Sequence, residues 1–351
     1  MSPFFKAALF TLVVVTAFVI LWEWNARSKG YETSFDDSAE LWADKRKEVY
    51  SDPATTTVFI GSSRIKFDLD IPTWEKYTGE KAVQLALVGS SPQHLLYDLA
   101  EDEKFKGKLV IDVTEPLFFS SAPPYTERPL KAIKYYKNET PTQRFSFKVG
   151  HFLESQIAFL NKDYLSTNSI LERYPLPHRT QTPPFPYFPP EFELVNADRQ
   201  CYMSDKFVKD TNLHKQMQNV WLTLLEGAKN MPPPTKEDIE AVFTSVKNAV
   251  DKIKARGGEV IFVRTPSSGV FLEIEKQAFP REAFWDKLLT VTSTKGIHFA
   301  DYPETANFIC PEWSHLTPED AIVYTKHLIY QLEEKEWPIA NKITNPQISK
   351  Y

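Results

Sequence analysis

Two cysteines in 351 residues, Cys201 and Cys310, exclude a disulfide framework and a cysteine-rich zinc site. In an exported chain the two could pair, or both could stay as buried free thiols. A basic excess is also missing. The net charge is -5, so the chain offers no electropositive footprint for nucleic acid. No internal repeat is found, and no histidine or carboxylate grouping has metal-ligand spacing, so neither a metal nor a diffusible cofactor is expected.

What is present is an ordinary globular composition, 42% hydrophobic and 25% charged, with 14% aromatic residues, enough to line a groove. The length suits one large α/β core with an insertion. The N-terminus differs from the rest. Residues 7–22 carry no charge, and Phe4 and Phe5 extend the apolar run past Lys6, whose stem can snorkel. A cleaved signal peptide is the alternative to a membrane-spanning helix, but the exit reads Trp22-Glu23-Trp24-Asn25 and holds no small-x-small cleavage site. Residues 1–30 are therefore expected to be a membrane anchor, with residues 31–351 folded outside the cytoplasmic membrane.

After a short charged helix at 38–50, expected to lift the domain off the membrane, the pattern becomes regular. Apolar, β-branched runs at 55–60, 82–88 and 109–113 each stop at glycine or a polar turn, and helical patterns at 72–77 and 92–103 lie between them. The alternation resumes with a helix at 235–256, a strand at 259–263, a helix at 281–291, a weaker strand at 297–302 and a closing helix at 318–334. Runs buried on both faces and alternating with helices predict a three-layer α/β/α sandwich around a mostly parallel, five-stranded, flavodoxin-like sheet. Residues 118–234 break the alternation and read as an insertion lobe. Within it, residues 174–190 hold seven prolines and read as a loop.

Ligands of a parallel sheet gather at the carboxyl ends of the strands. Gly61-Ser62-Ser63 ends the first strand, Gly89-Ser90-Ser91 follows the second, and Thr114-Glu115 follows the third, so the three converge on one rim. A serine nucleophile there needs a base and a group to orient it. His315, with Glu312 three residues before it, enters the closing helix and could swing over that rim. Serines after a strand also serve as plain turn residues, and Thr317-Pro318-Glu319-Asp320 caps the last helix without help from His315. Arg64 and Arg264 could pin an anionic group or form structural ion pairs. His94 reads as a helix-face residue and His298 as a core or edge residue.

The segments "VFIGSSRIKFDLD", "ALVGSSPQHLLYDL", "VIFVRTPSS" and "EWSHLTPEDAIVYTKHL" resemble the SGNH (GDSL-type) hydrolase superfamily. They look most like its membrane-anchored branch related to the D-alanine transfer protein DltD. The resemblance implies the SGNH hydrolase fold, with Ser63 as nucleophile, His315 as general base and Glu312 orienting it. It places the oxyanion donors on the backbone N–H groups of Ser63 and Gly89. The family's third block supplies an oxyanion-hole Asn where this chain has "DVTEPLFF", with Thr114 or Glu115 in the slot. The implied activity is a membrane-tethered, extracytoplasmic serine acyltransferase or esterase moving acetyl or D-alanyl groups on a cell-envelope glycan or polymer. A membrane-bound O-acyltransferase is the implied partner. A catalytically silent envelope-binding or assembly protein and a simple lipase-like esterase are the alternatives.

Overall fold

The computed structural model describes residues 2–162, 166–172, 187–229 and 233–341. Five strands form one sheet: β1 Thr56–Ile60, β2 Lys81–Gln84, β3 Lys108–Asp112, β6 Glu259–Arg264 and β7 Lys295–His298. A separate antiparallel ribbon pairs β4 Leu194–Val195 with β5 Cys201–Tyr202. The main sheet runs β2-β1-β3-β6-β7 with every neighbouring pair parallel. Numbered along the chain within that sheet, the order is 2-1-3-4-5, the doubly wound arrangement expected. Its switch point lies between β1 and β3, whose carboxyl ends carry Gly61 and Thr114.

The central strands β1, β3 and β6 are apolar at consecutive positions because both faces are covered. Val58, Ile60, Leu109, Ile111 and Phe262 point into one core, against the Gln93–Glu101 and Lys236–Ala255 helices. Phe59, Val110, Ile261 and Val263 point the other way, against the Ile71–Thr78 and Pro318–Glu334 helices. Local signals set several boundaries. Thr235 and Asp238 form a reciprocal capping box at the start of Lys236–Ala255. Thr235→Ala is expected to cost about 1 kcal/mol in a urea titration, because one N-terminal N–H loses its acceptor. The 92–103 helix starts one residue late, at Gln93, with Pro92 rather than Ser91 as its N-cap.

The structure departs from expectation at two strands and one helix. The last strand is Lys295–His298 rather than 297–302, because Phe299–Asp301 already turn into a 3-10 helix. The second strand ends at Gln84 instead of 88, and its outer edge is closed by Arg199, whose guanidinium donates to the carbonyls of Gln84 (2.7 Å) and Ala86 (3.1 Å). The charged helix Ala39–Lys47 is no spacer. Trp42 is buried and donates to the Leu85 carbonyl, and Arg46 pairs with Asp98 and Asp102, so it belongs to the body of the domain. The 118–234 insertion packs on the rest of the domain. Its ribbon and the Thr211–Ala228 helix build a third core around Phe192, Met203, Phe207 and Met217, which shares Phe67 with the helix after β1. Most of the proline-rich stretch, residues 174–186 of 174–190, lies outside the described residues. Of the two alternatives for the cysteines, the structure has the free one: Cys201 and Cys310 are both unpaired and buried, in two different cores.

The helix Pro3–Ser28 has a mean hydropathy of 2.4 over its most apolar window, none of it buried, and it is long and apolar enough to cross a membrane. At 26 residues it spans about 39 Å, longer than the ~30 Å hydrocarbon layer.

Candidate active site

β1 ends at Ile60, and the chain turns straight into the Ser63–Asp68 helix with Ser62 as N-cap. Gly61 is required at this turn: a Cβ there would stand 2.6 Å from Asp112 Cβ and 2.7 Å from Ile65 Cγ2. The two serines are separated by their surroundings. Ser62 is buried, and its hydroxyl sits 2.7 Å from Thr114 Oγ1, which donates in turn to Asp112 Oδ2 at 3.0 Å. Ser63, at the first helical position, is half-buried and faces a cavity of about 380 Å³.

Gly89 and His315 line the same cavity. Gly89 has φ +61, a conformation that costs glycine little. The N–H groups of Ser63 and Gly89 bond to nothing among the described residues, so both are open donors. Thr114 lines the cavity too, but with its hydroxyl proton on Asp112 and its lone pair facing Ser62 its side chain has no donor left for an oxyanion.

Glu312 and His315 are a fully buried pair. Glu312 Oε1 accepts from His315 Nδ1 (3.1 Å), from the His315 backbone N–H (2.6 Å) and from the Ser314 N–H (3.2 Å). Its other oxygen accepts from the Trp221 indole N–H at 2.5 Å. A carboxylate only accepts, so Nδ1 carries the proton and Nε2 is left as the basic nitrogen. Nε2 is buried and has no hydrogen-bond partner among the described residues. Phe67, Phe192 and Trp221 surround the ring, with Phe67 nearest at 4.4 Å between centroids. The Leu316 N–H donates to Asp68 Oδ1 at 3.0 Å, which ties the histidine loop to the end of the Ser63 helix. Burial pushes the Asp68 carboxyl well above its usual range.

The remaining residues marked in the sequence divide between two places. Arg64 lines the cavity, donating to Ser314 Oγ and pairing with Glu275. Arg264 and Glu115 lie in a neighbouring cleft, not in the cavity. They pair with each other at 3.1 Å, and Arg264 also pairs with Glu275, so here the structural ion pair is what the fold contains. Burial works against the Glu275 carboxylate, but Arg64 and Arg264 together hold its pKa below the ordinary range. His94 sits half-buried on its helix, edge-on to Tyr97. His298 ends β7, and burial together with Arg264 pushes its pKa down to about 3.

Trp221 and Glu275 escaped the sequence reading. Trp221 had a signal, since Met217, Val220, Trp221, Leu224, Leu225 and Ala228 form an apolar stripe at helical spacing. Glu275 had none, because nothing local marks a carboxylate shared by two distant arginines. No family model matches the chain, and no curated protein matches it significantly.

Proposed function

We propose that the protein is a membrane-tethered serine esterase or acyltransferase working through Ser63, His315 and Glu312. One observation carries this reading: His315 has Nδ1 committed to Glu312 and Nε2 without a hydrogen-bond partner among the described residues, in the cavity that also holds the half-exposed Ser63. Ser63 Oγ would attack the acyl carbonyl while its proton passes to His315 Nε2. The oxygen that gains charge would meet the N–H groups of Ser63 and Gly89. Collapse breaks the ester bond, and the leaving alkoxide takes the proton from His315, leaving acyl-Ser63. A hydroxyl of the acceptor, or water, then repeats the sequence in reverse.

The resemblance to the SGNH superfamily and its DltD-related branch supports an acetyl or D-alanyl group and a cell-envelope glycan or polymer as acceptor. It also supports a membrane-bound O-acyltransferase as partner and a domain outside the cytoplasmic membrane. The lack of a third-block Asn leaves two N–H donors for the oxyanion and favours a slower enzyme of this type, since one lost donor costs about 10²–10³ in rate. The test is labelling of the full-length protein by a fluorophosphonate. Wild type is expected to be labelled and Ser63→Ala not. A folded wild type that resists the probe, or a Ser63→Ala variant that keeps the label, overturns the assignment in favour of a silent binding protein or a different nucleophile.

A further inference from the structure

The helix Pro141–Gln156 buries none of its residues. Its exposed apolar side chains are Phe145 (72%), Val149 (47%), Phe152 (65%) and Leu153 (41%). At 3.6 residues per turn these four fall within an arc of about 100°, one face of the helix. The opposite face, with Phe147, His151 and Glu154, is half-buried, and the His151 ring stacks on Phe35 at 4.4 Å. The helix therefore docks through one side and presents a continuous apolar stripe on the other. A stripe of that kind on a free surface calls for an apolar partner.

The position of the stripe says which partner. The C-terminal end of the apolar helix Pro3–Ser28 is bonded directly to the end of Pro141–Gln156. Arg27 Nη2 donates to the Gln156 carbonyl at 3.1 Å, and the Glu23 carboxylate accepts from the N–H groups of Ala158 (3.0 Å) and Phe159 (3.2 Å). If residues 3–22 cross the hydrocarbon layer, Glu23 and Arg27 stand in the headgroup layer beside Trp22 and Trp24, where indole rings favour the interface. Residues 156–159 stand there with them.

We infer that Pro141–Gln156 is a second membrane contact, an interfacial helix whose Phe145, Val149, Phe152 and Leu153 enter the outer edge of the lipid layer. Exposed Leu160, just past the helix, continues the apolar surface, and Lys148 at its rim can reach the headgroups. The domain is then held by two attachments, which limits how far it tilts above the bilayer. The inference rests on Pro3–Ser28 being inserted and is independent of the catalytic reading.

The test uses the full-length protein in vesicles of phosphatidylcholine and phosphatidylglycerol. An environment-sensitive fluorophore is placed in turn at F145C, F152C, V14C and, as a solvent control on the neighbouring helix, K131C. The native cysteines are buried, and unsubstituted protein gives the labelling background. Expected are blue-shifted emission at 145 and 152 and severalfold stronger quenching by an acyl-chain spin label than at 131. Quenching at 14 with solvent-like behaviour at 145 and 152 overturns the interfacial helix alone. No quenching at 14 removes the anchor and the inference with it. Solvent-like behaviour in vesicles with protection in native membranes assigns the face to a protein and also overturns it. F145D/F152D with an unchanged melting midpoint and loss of the quenching-dependent shift at V149C completes the case.

Discussion

Glu312→Gln is expected to lower ester turnover by about 10⁴, the size of effect seen when the orienting acid of a serine triad becomes an amide. The amide cannot satisfy both ends of the site. With its oxygen toward His315, its NH₂ meets the Trp221 indole N–H, which bonds to the carboxylate at 2.5 Å. Reversed, the NH₂ meets His315 Nδ1 and the backbone N–H groups of Ser314 and His315. To accept from that NH₂, Nδ1 must give up its proton and Nε2 must carry one, so the ring can no longer take the proton of Ser63. A stability loss of about 1–3 kcal/mol accompanies the rate loss, because at least one buried donor stays unpaired in either orientation. Trp221→Phe removes one of the two conflicts. The double variant is therefore expected to regain part of the rate lost in Glu312→Gln, a coupling that independent residues would not show. Single-turnover rates on an activated ester decide the matter, and a Glu312→Gln rate within about tenfold of wild type sinks the triad.

Asp37→Ala is expected to destabilise the domain by about 3–5 kcal/mol, because it strips the counter-charge from buried cations. The Asp37 carboxylate accepts from Lys66 Nζ at 2.6 Å and Arg199 Nε at 2.8 Å, both fully buried, and lies 3.4 Å from Arg128. Lys66 belongs to the helix that begins at Ser63, and Arg199 closes the edge of β2, so the loss reaches both the site and the sheet. Burial by itself would raise the Asp37 pKa; Arg199, Lys66 and Arg128 outweigh it and hold the carboxyl well below its usual range. The sign of the pH dependence follows. A depressed folded-state pKa contributes stability that is complete above the unfolded value, about 3.9 for Asp, and is lost as pH falls toward the folded value. Urea midpoints measured from pH 7 downward should show the gap between wild type and Asp37→Ala constant to about pH 5 and narrowing below about pH 4. A gap that widens on acidification would contradict this account.

Much of the scaffold was legible because its signals are local. The membrane-length helix is built around one uncharged run, residues 7–22. The closing helix Pro318–Glu334 starts where Thr317 and Pro318 mark it, and Thr235 with Asp238 opens Lys236–Ala255. The central strands β1, β3 and β6 are visible because burial on both faces demands consecutive apolar residues, whereas the edge strand β7, with only Ile297 buried, was placed two residues late. Glu312 and His315 are separated by three residues, so their pairing needs only one turn of loop. Ser63 and Gly89 could be placed on one rim because a parallel sheet puts every strand end on the same side.

Other features depend on residues brought together from far along the chain. The resemblance assigned the nucleophile to Ser63, but the turn residues by themselves do not say which serine is free: Ser62 is held by Thr114, just past the end of β3, and this leaves Ser63 to the cavity. Nor can the sequence assign Arg264 to Glu115 and Glu275, or Trp221 to Glu312 across 91 positions. The charged 38–50 segment reads as a spacer because its polar face is obvious, while the partners of Trp42 and Arg46 lie elsewhere in the chain. The sequence by itself determined the layers, the apolar N-terminal helix and the order of the chemical groups, since propensity, hydrophobic period and caps act within a few residues. The tertiary structure alone decided which of those groups are satisfied and which are left open, because satisfaction is a property of neighbours in space.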